Sequence, residues 1–182
     1  MTIFNIQEFR SALTAGGARP NQFRVTLLYP NYVTLGDSRQ SSFLITTAEL
    51  PGSSVPPATV FYRGRQVNLA GDRVFAPWAV TVLNDADLVV RTSLEQWMNG
   101  MDALQSKRGK VFPADYVADL TVQQLDRNGQ ISKTYILRDA FPTEIGPVAL
   151  DYSANDQISN FQVSFVYQYF ETNGVPQNGV AV

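Results

Sequence analysis

Two groups of acidic and amide side chains could bind a cation or transfer a proton. They are Asp72, Asp85 and Asp87, and further along the chain Asp151, Asn155 and Asp156. Carboxylates ligate Mg²⁺ and Ca²⁺ and can act as a general acid and base. The second group does not fit the Asp-x-Asp-x-Asp-Gly calcium loop, and no residue that could act as a partner base and no phosphate loop accompanies the first. We therefore expect Asp72 to order a turn, Asp85 to cap a helix, and the second group to form a turn between strands.

The 182-residue chain contains neither cysteine nor histidine. Their absence excludes disulfides, thiolate nucleophiles and Ser-His or Cys-His catalysis, and it removes the commonest transition-metal ligands. The sequence predicts no catalytic residue, no metal site and no cofactor. An enzyme that relies on carboxylates alone is the remaining catalytic alternative.

Three arginines and two aromatic residues lie close together in the sequence: Phe61, Tyr62, Arg63, Arg65 and Arg73. A nucleic-acid site would use the charges on phosphates and the rings on bases. The alternatives are contact with a neighbouring subunit, since arginine and aromatic residues are enriched at interfaces, and plain exposure to solvent. The subunit interface is the interpretation that we favour.

The charge of the chain argues against wrapping of nucleic acid, and its apolar runs argue against membrane insertion. The net charge is −2 and the pI is about 5.1, so no basic footprint is visible. The N-terminus lacks the pattern of a signal peptide, and no apolar run approaches the roughly 20 residues that span a bilayer. We expect a protein that is made in the cytoplasm and stays soluble until it assembles.

Apolar periodicity predicts a chain composed mainly of strands. Helices are expected over residues 5–14 and from Asp85 to Leu104, the second with Val90, Leu94, Trp97, Met101 and Leu104 on its core face. Strands are expected over residues 22–29, 42–49, 59–62, 66–69, 77–83, 115–125, 130–137, 148–152 and 158–170. In the last strand, alternate residues from Phe161 to Tyr169 are expected to face one way. Turns at 63–65 and 126–129 predict two hairpins.

This order of elements predicts a mainly β (α+β) fold, an antiparallel β-sandwich or barrel with one flanking α-helix and a short N-terminal helix. The length fits one domain, which we place at residues 1–171, followed by a flexible C-terminal tail at 172–182. Among the lysines only Lys133 lies in a predicted strand. Because solitary proteins usually protect edge strands with lysine or proline, we expect neighbouring copies to complete the sheet edges.

Three blocks of sequence occur in the same order as in the members of a known protein family. Residues 68–85 contain Gly-Asp-Arg, Phe75, Pro77-Trp78 and a helix start at Asn84-Asp85. Residues 17–25 read Gly-Ala-Arg-Pro-Asn-Gln-Phe-Arg-Val, and residues 141–171 open with Phe-Pro-Thr-Glu-Ile-Gly and close with Tyr-Phe-Glu. Together the blocks resemble the tail tube proteins of contractile-tailed bacteriophages. The sequence departs from the family at a longer first turn, residues 29–40, and in the tail.

The resemblance implies a structural virion protein that forms hexameric rings, which stack into the inner tube of a contractile tail. It implies contact with the tail sheath, the baseplate and the tail terminator, and transient passage of DNA through the lumen without specific binding. By analogy with the family's projecting hairpin, the segment Leu50–Asp72 would supply subunit or ring contacts. The residues expected at this interface are Pro51, Val55, Pro56, Phe61, Tyr62, Arg63, Arg65 and Arg73. The residues expected to face the lumen are Asp115, Asp119 and Asp126.

Two alternatives remain open at this point. The tube could belong to a tailocin or a type VI secretion apparatus, which share the architecture. From a different class, a β-sandwich carbohydrate-binding module could use exposed aromatic side chains and the Asp/Asn loops.

Overall fold

The computed structural model describes residues 5–13 and 17–173. In chain order the helices are α1 (Ile6–Ala12), α2 (Ser38–Leu44) and α3 (Val89–Met101), with a 3₁₀ turn at Pro113–Asp115. The strands are β1 (Phe23–Leu27), β2 (Ile45–Ala48), β3 (Ser53–Ser54), β4 (Pro57–Tyr62), β5 (Arg65–Ala70), β6 (Val74–Phe75), β7 (Trp78–Leu83), β8 (Ala118–Leu125), β9 (Ile131–Ile145), β10 (Asn160–Val166) and β11 (Tyr169–Thr172). The mainly β, antiparallel fold is as predicted.

The large sheet has the order β1-β8-β9-β10-β7-β2, with β11 also paired to β9. The long strand β9 belongs to both halves: it pairs with β8 and β11 up to Ala140 and with β10 from Phe141 onward. Between these halves the register slips, and Asp139 has a left-handed φ of 53°. Such a bulge bends a strand and increases its twist, so one strand can serve both halves of an open sheet.

The core lies between the sheet and α3. Val90, Leu94 and Trp97 of α3 are buried. The Trp97 ring lies 6.1 Å from that of Phe165, and its Nε1 donates to the Tyr116 carbonyl at 2.7 Å. The predicted helix is right in kind but wrong in extent, because it begins at Val89 and ends at Met101. Leu104, expected on the core face, is 87% exposed.

The strand predicted over residues 42–49 is partly wrong. Only Ile45–Ala48 is a strand, and helix α2 comes directly before it. The Asp37 side chain caps the helix by accepting from the Arg39 N–H at 2.8 Å. The hydroxyls of Tyr29 and Ser41 are 2.6 Å apart. The helix packs against β1, β2 and β7, so it covers the space between the two strands that end the sheet.

Three further expectations differ from the structure near the chain ends. Residues 148–152 contain no strand, and the predicted strand over 158–170 is split into β10 and β11. Tyr169, expected on the same face as Phe161, Phe165 and Tyr167, is 44% exposed, whereas those three are buried. Strand β11 includes Thr172, and the Asn173 side chain accepts from the Thr134 N–H, so the predicted tail begins within the sheet. Its remainder, residues 174–182, lies outside the described residues.

The predicted N-terminal helix is present as α1, capped by the Asn5 side chain. Its expected last residue, Thr14, lies outside the described residues. Ile6, Phe9 and Leu13 share one face of this helix, and all three side chains are exposed.

Candidate assembly surfaces

Strands β4 and β5 form a hairpin that pairs only with itself among the described residues. Arg63 and Gly64 have φ values of 48° and 79°, the two positive angles that a type I′ turn requires. Every residue of both strands is exposed. The hairpin therefore projects from the body and leaves apolar side chains, including Phe61 at 75% exposure, in solvent.

The structure brings four of the eight predicted interface residues together at the hairpin tip. Phe61, Tyr62, Arg63 and Arg65 are exposed there, and the Arg63 guanidinium lies 5.4 Å from the centre of the Tyr62 ring. The other four lie in the segments that lead into and out of the hairpin: Val55, Pro56 and Arg73 are exposed, and Pro51 is half-buried.

The base of the hairpin is held by a close backbone approach. The Gly71 N–H donates to the Pro56 carbonyl at 3.0 Å. A Cβ at Gly71 would lie only 2.5 Å from that carbonyl oxygen. Glycine at this position therefore allows the contact that fixes the exit of the hairpin.

The margins of the large sheet form a second candidate surface. Within the described part of the chain, β1 pairs only with β8, β2 only with β7, and β11 only with β9. Their outer edges lack a strand partner, although α2 packs beside β1 and β2. Unpaired strand edges are templates for pairing with another chain.

The three predicted lumen carboxylates have different environments. Asp115 is exposed on the 3₁₀ turn before β8, not on the strand as expected. The half-buried Asp119 forms an ion pair with Arg138. Asp126 Oδ1 accepts from the Asn128 and Gln130 N–H groups, both at 2.8 Å, and so orders the β8–β9 turn.

The sequence does not predict the partners of Asp119. The Arg138 guanidinium also donates to Glu171 on β11 at 2.7 Å, so one cation joins β8, β9 and β11. These two hydrogen bonds raise the pKa of Arg138. No local sequence signal indicates this network, because its members come together only through strand pairing.

A cavity of about 670 Å³ lies beside this network. Asp115, Asp119, Asp139, Lys110 and Tyr32 are among the lining residues. The Tyr32 hydroxyl donates to the Trp97 carbonyl at 2.8 Å, and burial raises the pKa of Tyr32 to about 12. No group of three or more acidic side chains placed to hold a metal ion occurs within residues 5–13 and 17–173.

Two of the carboxylates considered for cation binding, Asp85 and Asp151, have structural roles. Asp85 accepts from the N–H of Val89, the first residue of α3, at 3.1 Å, but the N-cap position is Leu88, three residues later than predicted. Asp151 accepts from the Ser153 N–H and hydroxyl, at 2.9 and 2.8 Å. These bonds lower the pKa of Asp151 and are typical of an Asx turn.

Comparison with known proteins decides the family. The model of the phage tail tube protein family matches residues 18–173. The chain is a member of that family.

Two curated relatives agree with this assignment. The tail tube protein of Serratia phage KSP90 is 30% identical over 165 residues, which cover 89% of this chain and 93% of the relative. Tail tube protein gp19 of Enterobacteria phage T4 is 30% identical over 155 residues, covering 85% and 91%. This chain is therefore a structural virion component of the tail tube class.

A solved structure shares the fold. It is a cryo-EM structure of an extracellular contractile injection system, the PVC sheath–tube complex in the extended state. The TM-score is 0.59 at 16% identity, with 91% of this chain and 97% of the other covered. In the described part of our chain, no helix is long and apolar enough to cross a membrane.

Proposed function

We propose that copies of this chain form six-membered rings that stack into the hollow inner tube of a contractile phage tail. The observation that carries the proposal concerns the described residues: the outer edges of β1, β2 and β11 have no strand partner there, and the β4–β5 hairpin pairs only with itself and is exposed throughout. Neighbours that complete these edges would form a continuous wall. Heterologous contacts of this kind generate rings when the rotation closes.

The hairpin is the part of the protomer best suited to reach another subunit or ring. Its tip combines Phe61 and Tyr62, 75% and 65% exposed, with two arginines. Burying both rings would remove a large apolar area from water, at about 25 cal/mol per Å². Aromatic and arginine side chains often contribute most of the energy of an interface.

The lumen would carry DNA during ejection without binding it. A net charge of −2 and the absence of histidine suit a wall that repels phosphate. Asp115, Asp119 and Asp126 remain the residues that we assign to this wall. Asp119 is already paired with Arg138, so Asp115 would contribute the more available charge.

The outer surface would contact the tail sheath, and the ends of the tube would contact the baseplate and the terminator. The sheath–tube complex with the same fold supports the first of these partners. We extend the predicted assembling unit, residues 1–171, by Thr172 and Asn173, which belong to or bond with the sheet, and infer that it acts without catalysis or cofactor. The same assembly would serve a tailocin or a secretion tube, and neighbouring genes distinguish these settings.

A shortened hairpin tests the proposal. Replacing residues 60–67 by Asn-Gly keeps the Thr59–Asn68 pair and supplies a type I′ turn. We expect a folded subunit that sediments as a small species, whereas the wild-type chain forms tubes visible in negative stain. Normal tubes from the shortened chain would show that the hairpin is not an assembly contact.

A further inference from the structure

Two exposed loops of this chain have opposite charge and similar apolar character. The basic loop, residues 103–112, carries Lys107, Arg108 and Lys110 and no carboxylate. The acidic loop, residues 149–159, carries Asp151 and Asp156 and no cation. Each loop also exposes three large apolar side chains: Leu104, Val111 and Phe112 in the basic loop, and Leu150, Tyr152 and Ile158 in the acidic loop.

The basic loop is ordered against the end of α3. The Lys110 N–H donates to the Gly100 carbonyl at 2.8 Å, and the Lys107 N–H donates to Ala103 at 2.9 Å. A Cβ at Gly109 would lie 1.7 Å from the Met101 carbonyl oxygen, so only glycine permits this contact. Phe112 nevertheless remains 69% exposed.

The acidic loop is ordered by its own carboxylate. Asp151 accepts from Ser153, and the Ala154 N–H donates to the Asp151 carbonyl at 3.2 Å. Tyr152 and Leu150 stand in solvent, the second at 89% exposure. Both loops are thus preformed surfaces, which reduces the entropy lost when a partner binds.

The loops lie at opposite ends of one helix. Leu150 and Ser159 of the acidic loop line a cleft with Leu88 and Arg91 at the start of α3. The basic loop follows the last residue of α3, Met101. A helix of 13 residues is about 20 Å long at 1.5 Å per residue. The two loops therefore lie about one helix length apart.

We propose that the basic loop of one copy docks on the acidic loop of the next copy. This contact rests on the tube proposed above and names the two surfaces that join its subunits. Opposite charges orient the encounter, and the six apolar side chains supply the area that becomes buried. Because the surfaces differ, the contact is heterologous and can propagate from copy to copy.

Charge inversion in two separate chains tests the contact. One variant carries Lys107→Glu and Arg108→Glu, and the other carries Asp156→Lys and Gln157→Lys. Each variant alone places like charges at every junction, so we expect at least a tenfold loss of sedimenting polymer. In an equimolar mixture the two variants can alternate along the assembly, so that the two loops at each junction again have opposite charge. We therefore expect tubes to form from the mixture. A matched control, Arg127→Glu with Asn128→Glu on the β8–β9 turn, should assemble normally.

Cross-linking supplies a second readout that does not depend on charge. The chain has no cysteine, so a Gln105→Cys/Ala154→Cys double variant introduces one thiol in each loop. A short bismaleimide should convert its assemblies into covalent ladders, whereas the Gln105→Cys/Asn128→Cys control should stay monomeric on denaturing gels. Folding of all variants is checked by circular dichroism.

The outcomes separate this contact from the function on which it rests. Tubes that persist in both charge variants, failure of the mixture to assemble, or the absence of covalent ladders from wild-type-like tubes would overturn the loop contact and leave the tube standing. Wild-type protein that forms no tube at all would overturn the proposed function itself.

Discussion

Arg138 on β9 donates a 2.7 Å hydrogen bond to Glu171 on the edge strand β11. The same guanidinium also holds Asp119 on β8, so the network crosses three neighbouring strands. Each side chain is about one-third exposed. Solvent therefore screens the charges in part, and the network should stabilise the margin of the sheet moderately.

Replacing Arg138 by methionine should lower the free energy of unfolding by about 1–2 kcal/mol, because two carboxylates lose a shared cation. Urea unfolding followed by tryptophan fluorescence measures the change. The difference from wild type should shrink in ~1 M salt, where charges are screened within about 3 Å. The exposed turn residue provides the control, since Arg127→Met should change stability by less than about 0.5 kcal/mol. Equal effects of the two substitutions would contradict a structural role for the network.

Gly71 at the base of the hairpin is expected not to tolerate a larger side chain. Gly71→Ala places a Cβ against the Pro56 carbonyl oxygen, at 2.5 Å, so the backbone must shift. We expect a loss of about 1–3 kcal/mol, the usual cost of overpacking, together with weaker tube assembly. Gly52→Ala is the matched control, because nothing lies within 4 Å of its added Cβ. Thermal unfolding and sedimentation of both variants measure the effects, and a Gly71→Ala protein indistinguishable from Gly52→Ala would show that the close approach is dispensable.

Local chemistry explains which elements could be predicted from the sequence. The β8–β9 turn was predicted from Asn128-Gly129, and Gly129 has a left-handed φ of 76° there. The role of the Asp126 carboxylate in ordering this turn was not predicted, because that residue was assigned to the lumen. A hydrogen bond from the start of α3 to Asp85 was also expected, because a side chain that bonds to a backbone N–H a few residues away leaves a sequence signal, but the helix begins later than predicted, with Leu88 as its N-cap.

Tertiary contacts explain what could not be predicted. Phe43, Ile45 and Thr47 alternate as in a strand, yet the chain is helical up to Leu44, where α2 packs against β1, β2 and β7. The Asp139 bulge and the pairing of Arg138 with Glu171 depend on residues brought together across strands. The projecting hairpin was expected from its turn and from the family resemblance, but the full exposure of its strands is seen only in the structure.

Alkaline pH should destabilise the subunit through Tyr29. Burial raises the pKa of Tyr29 to about 12, compared with 10.0 in the unfolded chain. Tyr29 therefore ionises first in the unfolded state. Its contribution to the free energy of unfolding is complete below pH 10 and is lost as the pH rises through 12. Over that interval the loss should be on the order of 1–2 kcal/mol from this side chain. In Tyr29→Phe, urea midpoints between pH 9 and pH 11.5 should fall less steeply than in wild type, while an unchanged slope would assign the loss to other groups.

The most direct measurement is cryo-electron microscopy of the purified chain at high concentration. We expect hollow tubes of stacked six-membered rings, in which the outer edges of β1, β2 or β11 are completed by neighbouring subunits and the hairpin is buried between copies. A chain that remains a solitary protomer, with the hairpin folded onto its own body and every sheet edge closed internally, would contradict the proposed tube.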